Sequence, residues 1–177
     1  MRRTACVLGL AVSLIGFDAA LVAGDDDHAR GRNQLRARLK AENEVPVVIS
    51  PASGEFRARV NREAQTIEYQ LSYSALEGTV LQAHIHAGQP FASGGIMIWL
   101  CANNPPITAA PAGTQPCPEG PATITGVITA ADVVGPAGQA IPVGAFEDAL
   151  RAIRSGNAYV NVHSTSAPGG EIRGQIQ

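Results

Sequence analysis

Three short runs in this chain alternate apolar and polar residues one for one, and no other feature restricts its fold so tightly. They are Leu35-Arg36-Ala37-Arg38-Leu39, Phe56-Arg57-Ala58-Arg59-Val60 and Ile67-Glu68-Tyr69-Gln70-Leu71-Ser72-Tyr73. Successive side chains of a strand point to opposite faces, so a period of two gives each run one face for a core and one for water. Ser53-Gly54 precedes the second run, and residues 61–65 (NREAQ) leave a gap of hairpin-loop length before the third. Further strands are expected at 80–87 (VLQAHIHA), 95–101 (GIMIWLC), 122–129 (ATITGVIT), 158–164 (AYVNVHS) and 171–177 (EIRGQIQ). One segment breaks the pattern. Residues 143–155 (VGAFEDALRAIRS) put Phe146, Leu150 and Ile153 at helical spacing, with acids early, arginines late and Gly156 as a stop. The 19 glycines, 12 prolines and 5% aromatic residues favour many turns and short elements. The expected fold is all-β: an antiparallel Greek-key sandwich or barrel of about eight strands with one short helix near the C-terminus.

The beginning of the chain points to export. Arg2-Arg3 forms a positive start, residues 5–15 (ACVLGLAVSLI) form an apolar core of suitable length, and small residues follow up to Ala23-Gly24. Asp18 interrupts the apolar stretch, which falls short of the ~20 residues of a membrane span. Residues 1–24 therefore read as a signal peptide, 25–34 as a flexible arm and 35–177 as the folded domain, secreted or periplasmic, with no stable membrane insertion after cleavage. In the arm, Asp25, Asp26, Asp27 and His28 read as solvated charge sooner than as a cation grip. Loss of Cys6 with the signal leaves Cys101 and Cys117, an even pair in an oxidising compartment, which reads as a disulfide. It would close a Pro-, Asn- and Ala-rich segment and add ~3 kcal/mol in the chain-entropy model. A pair of metal thiolates is the alternative, but no zinc-type spacing accompanies them.

Charge and motifs exclude several classes of function. Cleavage takes 13 basic and 15 acidic residues to 11 and 14, with no basic stripe, so nucleic acid is not an expected partner. No Gly-x-Ser-x-Gly, His-Glu-x-x-His or nucleotide loop occurs. The Pro168-Gly169-Gly170 turn joins two strands, so no helix dipole serves an anion there. Met97 and Trp99 are expected on one side of a strand beside Cys101, in core or interface packing.

The histidines carry the one chemical signal. His84 and His86 lie two apart on a strand and share a face, with Leu81, Ala83 and Ile85 on the other. On the 158–164 strand, Val160 and Val162 alternate with Tyr159, Asn161 and His163, which puts His163 on the polar face. If these strands meet, three imidazoles converge, on what parity makes the solvent side. Neutral imidazole is a common ligand of copper, zinc and nickel. Copper comes first, since softer ligands are absent. Equally open is a structural network in which His84 and His86 bond backbone at the Gly88, Gly94 and Gly95 turns and His163 caps the 164–166 turn.

Three motifs in order carry a family resemblance. They are Ala41-Glu42-Asn43-Glu44-Val45-Pro46, then Gln82-Ala83-His84-Ile85-His86-Ala87-Gly88, and finally residues 154–163 (RSGNAYVNVH) with 168–176 (PGGEIRGQI). From about Leu35 to the C-terminus the chain resembles the CHRD domain, named for its repeats in chordin and found singly in exported bacterial proteins. Most such domains have no assigned activity. His-x-His, a later Val-x-Val-His and a Gly-Gly-x-x-Arg-Gly turn are also similar to Cu/Zn superoxide dismutase, a Greek-key barrel. That resemblance implies His84, His86 and His163 as copper ligands and Arg173 as an anion guide. No bridging histidine and no zinc loop accompany them; otherwise Arg173 reads as a surface or paired cation. Three functions follow: an exported module binding a transition metal, a copper-only dismutase-like oxidoreductase, and a protein-interaction module with an unknown partner.

Overall fold

The computed structural model describes residues 33–103 and 109–177. The segment expected to be a signal peptide, and that expected to be an arm as far as residue 32 with His28, lie outside the described residues. Eight strands form one antiparallel sheet in the order β5-β4-β7-β8-β1-β2-β3-β6. In chain order they are β1 Gln34–Lys40, β2 Ser53–Asn61, β3 Thr66–Ser74, β4 Val80–Ala87, β5 Gly95–Ala102, β6 Ala122–Ile128, β7 Ala158–Ser164 and β8 Ile172–Gln175. The helix, α1 at Phe146–Arg154, lies between β6 and β7 and packs against β4 and β7. β7 lies beside β4 and not β6, so the chain crosses over after β6 in the Greek-key manner.

Alternation explains the first half of the barrel directly. β1 buries Leu35, Ala37 and Leu39, and β2 buries Phe56, Ala58 and Val60, while the arginines between them face water. Ile67, Tyr69, Leu71 and Tyr73 continue the core from β3. β1 begins at Gln34, one residue ahead of the expected boundary, because Gln34 already pairs with Arg59. α1 starts at the first apolar residue of its pattern, three residues into the expected segment, since Gly144 takes a left-handed turn (φ +79°) before it. Phe146, Ala149, Leu150 and Ile153 form its buried face, and Gly156 (φ +74°) ends it.

The sheet is nearly closed, and the gap between edge strands β5 and β6 is stapled. The Gln115 amide nitrogen donates to Leu100 O on β5 at 3.1 Å and to Thr125 O on β6 at 3.2 Å. Tyr69 Oη adds a bond to Leu100 O at 3.0 Å. Further along, Val133 bridges to Ile98 and Val134 N donates to Met97 O. Gln115 is held in place by the Cys101–Cys117 disulfide, whose Cα atoms are 5.0 Å apart. Among the described residues, no helix is long and apolar enough to cross a membrane.

Strand β5 departs from the sequence reading. Trp99 pairs with His84, but Cys101 pairs with Ala83 and Ile98 with Ile85, because the register shifts at two places along β4. Leu100 and Met97 are the extra residues of two bulges. Trp99 and Cys101, two apart in sequence, therefore face opposite sides of the sheet. Met97 is buried and Trp99 only half-buried.

Thiol labelling of unreduced, denatured protein lacking residues 1–24 is expected to find no reactive cysteine. Two reactive thiols would refute the bond.

Candidate metal centre

Strand pairing assembles the site in rows. His84 lies opposite Asn161, His86 opposite Tyr159 and Gln82 opposite His163. On the flanks, Trp99 pairs with His84 and Arg173 with Asn161. One row thus runs Trp99–His84–Asn161–Arg173 across β5, β4, β7 and β8. The alternate residues Ala83, Ile85, Val160, Val162 and Ile172 face the barrel core. Parity therefore brings together the three histidines expected to share a face: one ligand atom from each lies within 4.8 Å of the others.

The same parity misplaces them with respect to water. His84 is 0%, His86 8% and His163 6% exposed, so the polar face of β4 and β7 is not a solvent face. A second layer covers it. The 88–94 loop is fastened by Arg173, whose Nη2 donates to Gln89 O at 3.0 Å and Ala92 O at 2.9 Å, and by Tyr159 Oη, which accepts from Gly94 N at 3.3 Å. Gln175 adds a bond to Gly88 O at 2.8 Å. Arg173 also lies 3.5 Å above the Tyr159 ring and is itself 3% exposed. Its guanidinium therefore fastens a loop over the pocket.

Two of the three rings have a fixed tautomer. His86 Nδ1 lies 2.9 Å from Gly94 O and His163 Nδ1 2.9 Å from Pro168 O. A carbonyl only accepts, so each Nδ1 carries the proton and each Nε2 keeps its lone pair. His84 Nδ1 stands 3.2 Å from His163 Nε2. Rings crowd together: Trp99 meets His84 edge-on at 4.2 Å between centroids, and Tyr159 stacks on His86 at 4.8 Å. Burial, then repulsion from His163 and His86, pushes His84 down to about 2. Burial likewise takes His86 to about 4 and lowers His163. All three are neutral at physiological pH, the state a metal ligand requires.

Two further members were not assigned a role from the sequence. Glu44 is 7% exposed, and its carboxylate occupies the space a Cβ at Gly170 would need. Desolvation, offset in part by Arg173, raises it to about 7. Asn161 lies close enough to perturb Glu44, His84 and His86. Its Oδ1 nonetheless makes no hydrogen bond of normal geometry, so these contacts are looser than closed bonds. In the sequence, Glu44 is part of the first family motif, and nothing local marks it for burial.

Fold and site together define a small antiparallel barrel module with a covered histidine pocket on its outer wall. The chain belongs to the CHRD domain family, whose model matches residues 35–176. No curated protein and no solved structure gives a significant match.

The buried imidazoles set a pH dependence. Their folded-state values lie below the ordinary 6.5, so the unfolded chain takes up protons first, and stability present above pH 6.5 is lost as pH falls toward 4. Glu44, raised from 4.5 to about 7, acts oppositely: its contribution is present below pH 4.5 and lost as pH rises through 7. Three histidines outweigh one carboxyl, with Arg173 and Tyr159 the other ionisable groups facing them. The metal-free protein should therefore lose stability between pH 6.5 and 4.5. His86→Gln should reduce that slope by up to ~1.4 kcal/mol per pH unit. Urea midpoints against pH test this, and an equal slope in the variant would sink it.

Proposed function

We propose that this CHRD domain is an exported module that binds one transition-metal ion, copper ahead of others, through His84, His86 and His163. The carrying observation is the convergence of three neutral imidazoles in a covered pocket where protons do not compete. Two nitrogens bound to one tetrahedral ion at ~2.0 Å stand ~3.3 Å apart. His84 Nδ1 and His163 Nε2 are 3.2 Å apart, which supports the fit. Backbone carbonyls on the far nitrogens of His86 and His163 orient these rings as outer-sphere partners orient metal ligands. Copper is favoured because imidazole suits it and it binds most tightly in the divalent series. When bound, copper supplies one-electron chemistry; the chain's own part is to hold the ion and exclude water. The disulfide supports an exported location.

Metal analysis after periplasmic expression is expected to find about one copper per chain, lost in His84→Ala and His163→Ala. A wild-type protein that carries no transition metal and takes up no added copper would overturn the reading. One observation favours the structural alternative, a protein-interaction module: His84 and His163 can bond each other directly. Under that reading added copper leaves the thermal midpoint unchanged; under ours it raises it.

Dismutation is a separate question, and little is expected beyond that of free copper. Among the described residues the cluster holds three imidazoles and no fourth. Arg173, the anion-guide candidate, is buried and donates to two carbonyls. A rate far above free copper, lost in His163→Ala and reduced in Arg173→Ala, would establish the oxidoreductase reading.

A further inference from the structure

Among the described residues, four buried side-chain atoms lack a hydrogen-bond partner: Glu44 Oε1, His84 Nε2, His86 Nε2 and Asn161 Oδ1. All four belong to this pocket. A metal on His86 Nε2 accounts for one. The other three are His84 Nε2, whose ring partner Nδ1 is the atom that meets His163, and one oxygen each of Asn161 and Glu44; leaving them bare is costly in a buried site.

The tautomers define what they are for. His163 donates its Nδ1 proton to Pro168 O, so its Nε2 can only accept. With no metal, His84 Nδ1 must then carry a proton to meet it at 3.2 Å, since two facing lone pairs repel. With a metal held between them, that proton has to leave Nδ1. A neutral imidazole keeps one proton, so it must reside on Nε2, where it needs an acceptor. Asn161 is the direct cross-strand neighbour of His84, and its Oδ1 is without a partner. The Glu44 carboxylate, wedged against Gly170, lies close enough to Asn161 to interact with it, and while ionised it can take only the NH₂ end of that amide, which leaves Oδ1 for the rings.

We propose that Asn161, oriented by Glu44, is the acceptor for the His84 Nε2 proton, so that metal capture shifts the single proton of His84 from Nδ1 to Nε2. The shift is balanced: one N–H bond is lost, one forms, and no proton is released from that ring. Both residues are positioning residues and neither touches the ion. The inference rests on the three-histidine metal reading.

Long-range ¹H–¹⁵N correlation of the histidine rings, in metal-free and anaerobic Cu(I)-loaded protein, tests it without a variant. His86 and His163 should carry their proton on Nδ1 in both states, and His84 should change from Nδ1–H to Nε2–H on loading. Asn161→Ala should weaken Cu(I) binding about 10–100-fold. Glu44→Leu, which removes the acceptor for the Asn161 amide, should weaken it in the same direction. Cu(I) binding with His84 still protonated on Nδ1, or unchanged affinity in Asn161→Ala, overturns the inference and leaves the metal site standing. No Cu(I) uptake by the wild-type protein overturns the metal reading, and this inference falls with it.

Discussion

The Glu171 carboxylate, 1% exposed, ties three separate stretches of chain to one point. Oε1 accepts from Ser50 Oγ at 2.6 Å and from Glu77 N at 2.9 Å, and Oε2 accepts from Ser164 Oγ. A buried carboxylate left unpaired would cost several kcal/mol, so these bonds leave the three stretches little freedom to move independently. Each stretch then serves the pocket. Ser50 ends the segment that brings Glu44 over the sheet. Ser164 and Glu171 bracket the turn whose Pro168 carbonyl fixes the His163 tautomer. Glu77 belongs to the connection that leads into β4, the strand of His84 and His86. The histidine pocket is thus anchored by a charge that is not part of it.

The pocket itself runs against the economy of the rest of the barrel. β1, β2 and β3 follow the usual bargain of an antiparallel sheet, apolar inside and charged outside. β7 is buried along its whole length on both faces. Covering a polar face with a loop desolvates every group on it, which is why all three imidazoles are driven neutral. Neutral imidazoles offer lone pairs without competing protons. Such a face is expensive as mere packing and well suited to a cation, and the same desolvation drives both outcomes.

Arg173 shows how covering redefines a residue. It ends the row that begins at Trp99, and an open sheet would present it to solvent as a free cation. With the 88–94 loop folded across, its guanidinium is stacked on Tyr159 and shared between Gln89 O and Ala92 O. A charge that a sequence motif marks for anions fastens, in this fold, a lid of protein. Gly170 is a companion case, since a side chain there would occupy the place of the Glu44 carboxylate.

How much of this was legible in the sequence follows from the range of each interaction. Strand identity was readable nearly everywhere, because alternation is dictated by the backbone geometry of adjacent residues. The common face of His84 and His86, and the polar parity of His163 with Asn161, follow from the same rule and survive in the structure. Parity failed locally in β5, where the bulge at Leu100 separates the faces of Trp99 and Cys101, since a bulge depends on the partner strand as well as on its own residues. Burial of the histidines was not readable at all. Alternation says which residues lie together on a face, but whether water or protein meets that face depends on contacts such as Arg173 with Gln89 and Glu171 with Ser50, between residues 84 and 121 positions apart. The sequence by itself determined a β-barrel with three histidines on one wall. Only the tertiary structure decided that the wall is covered and joined by Glu44, because covering is a long-range event and strand parity a local one.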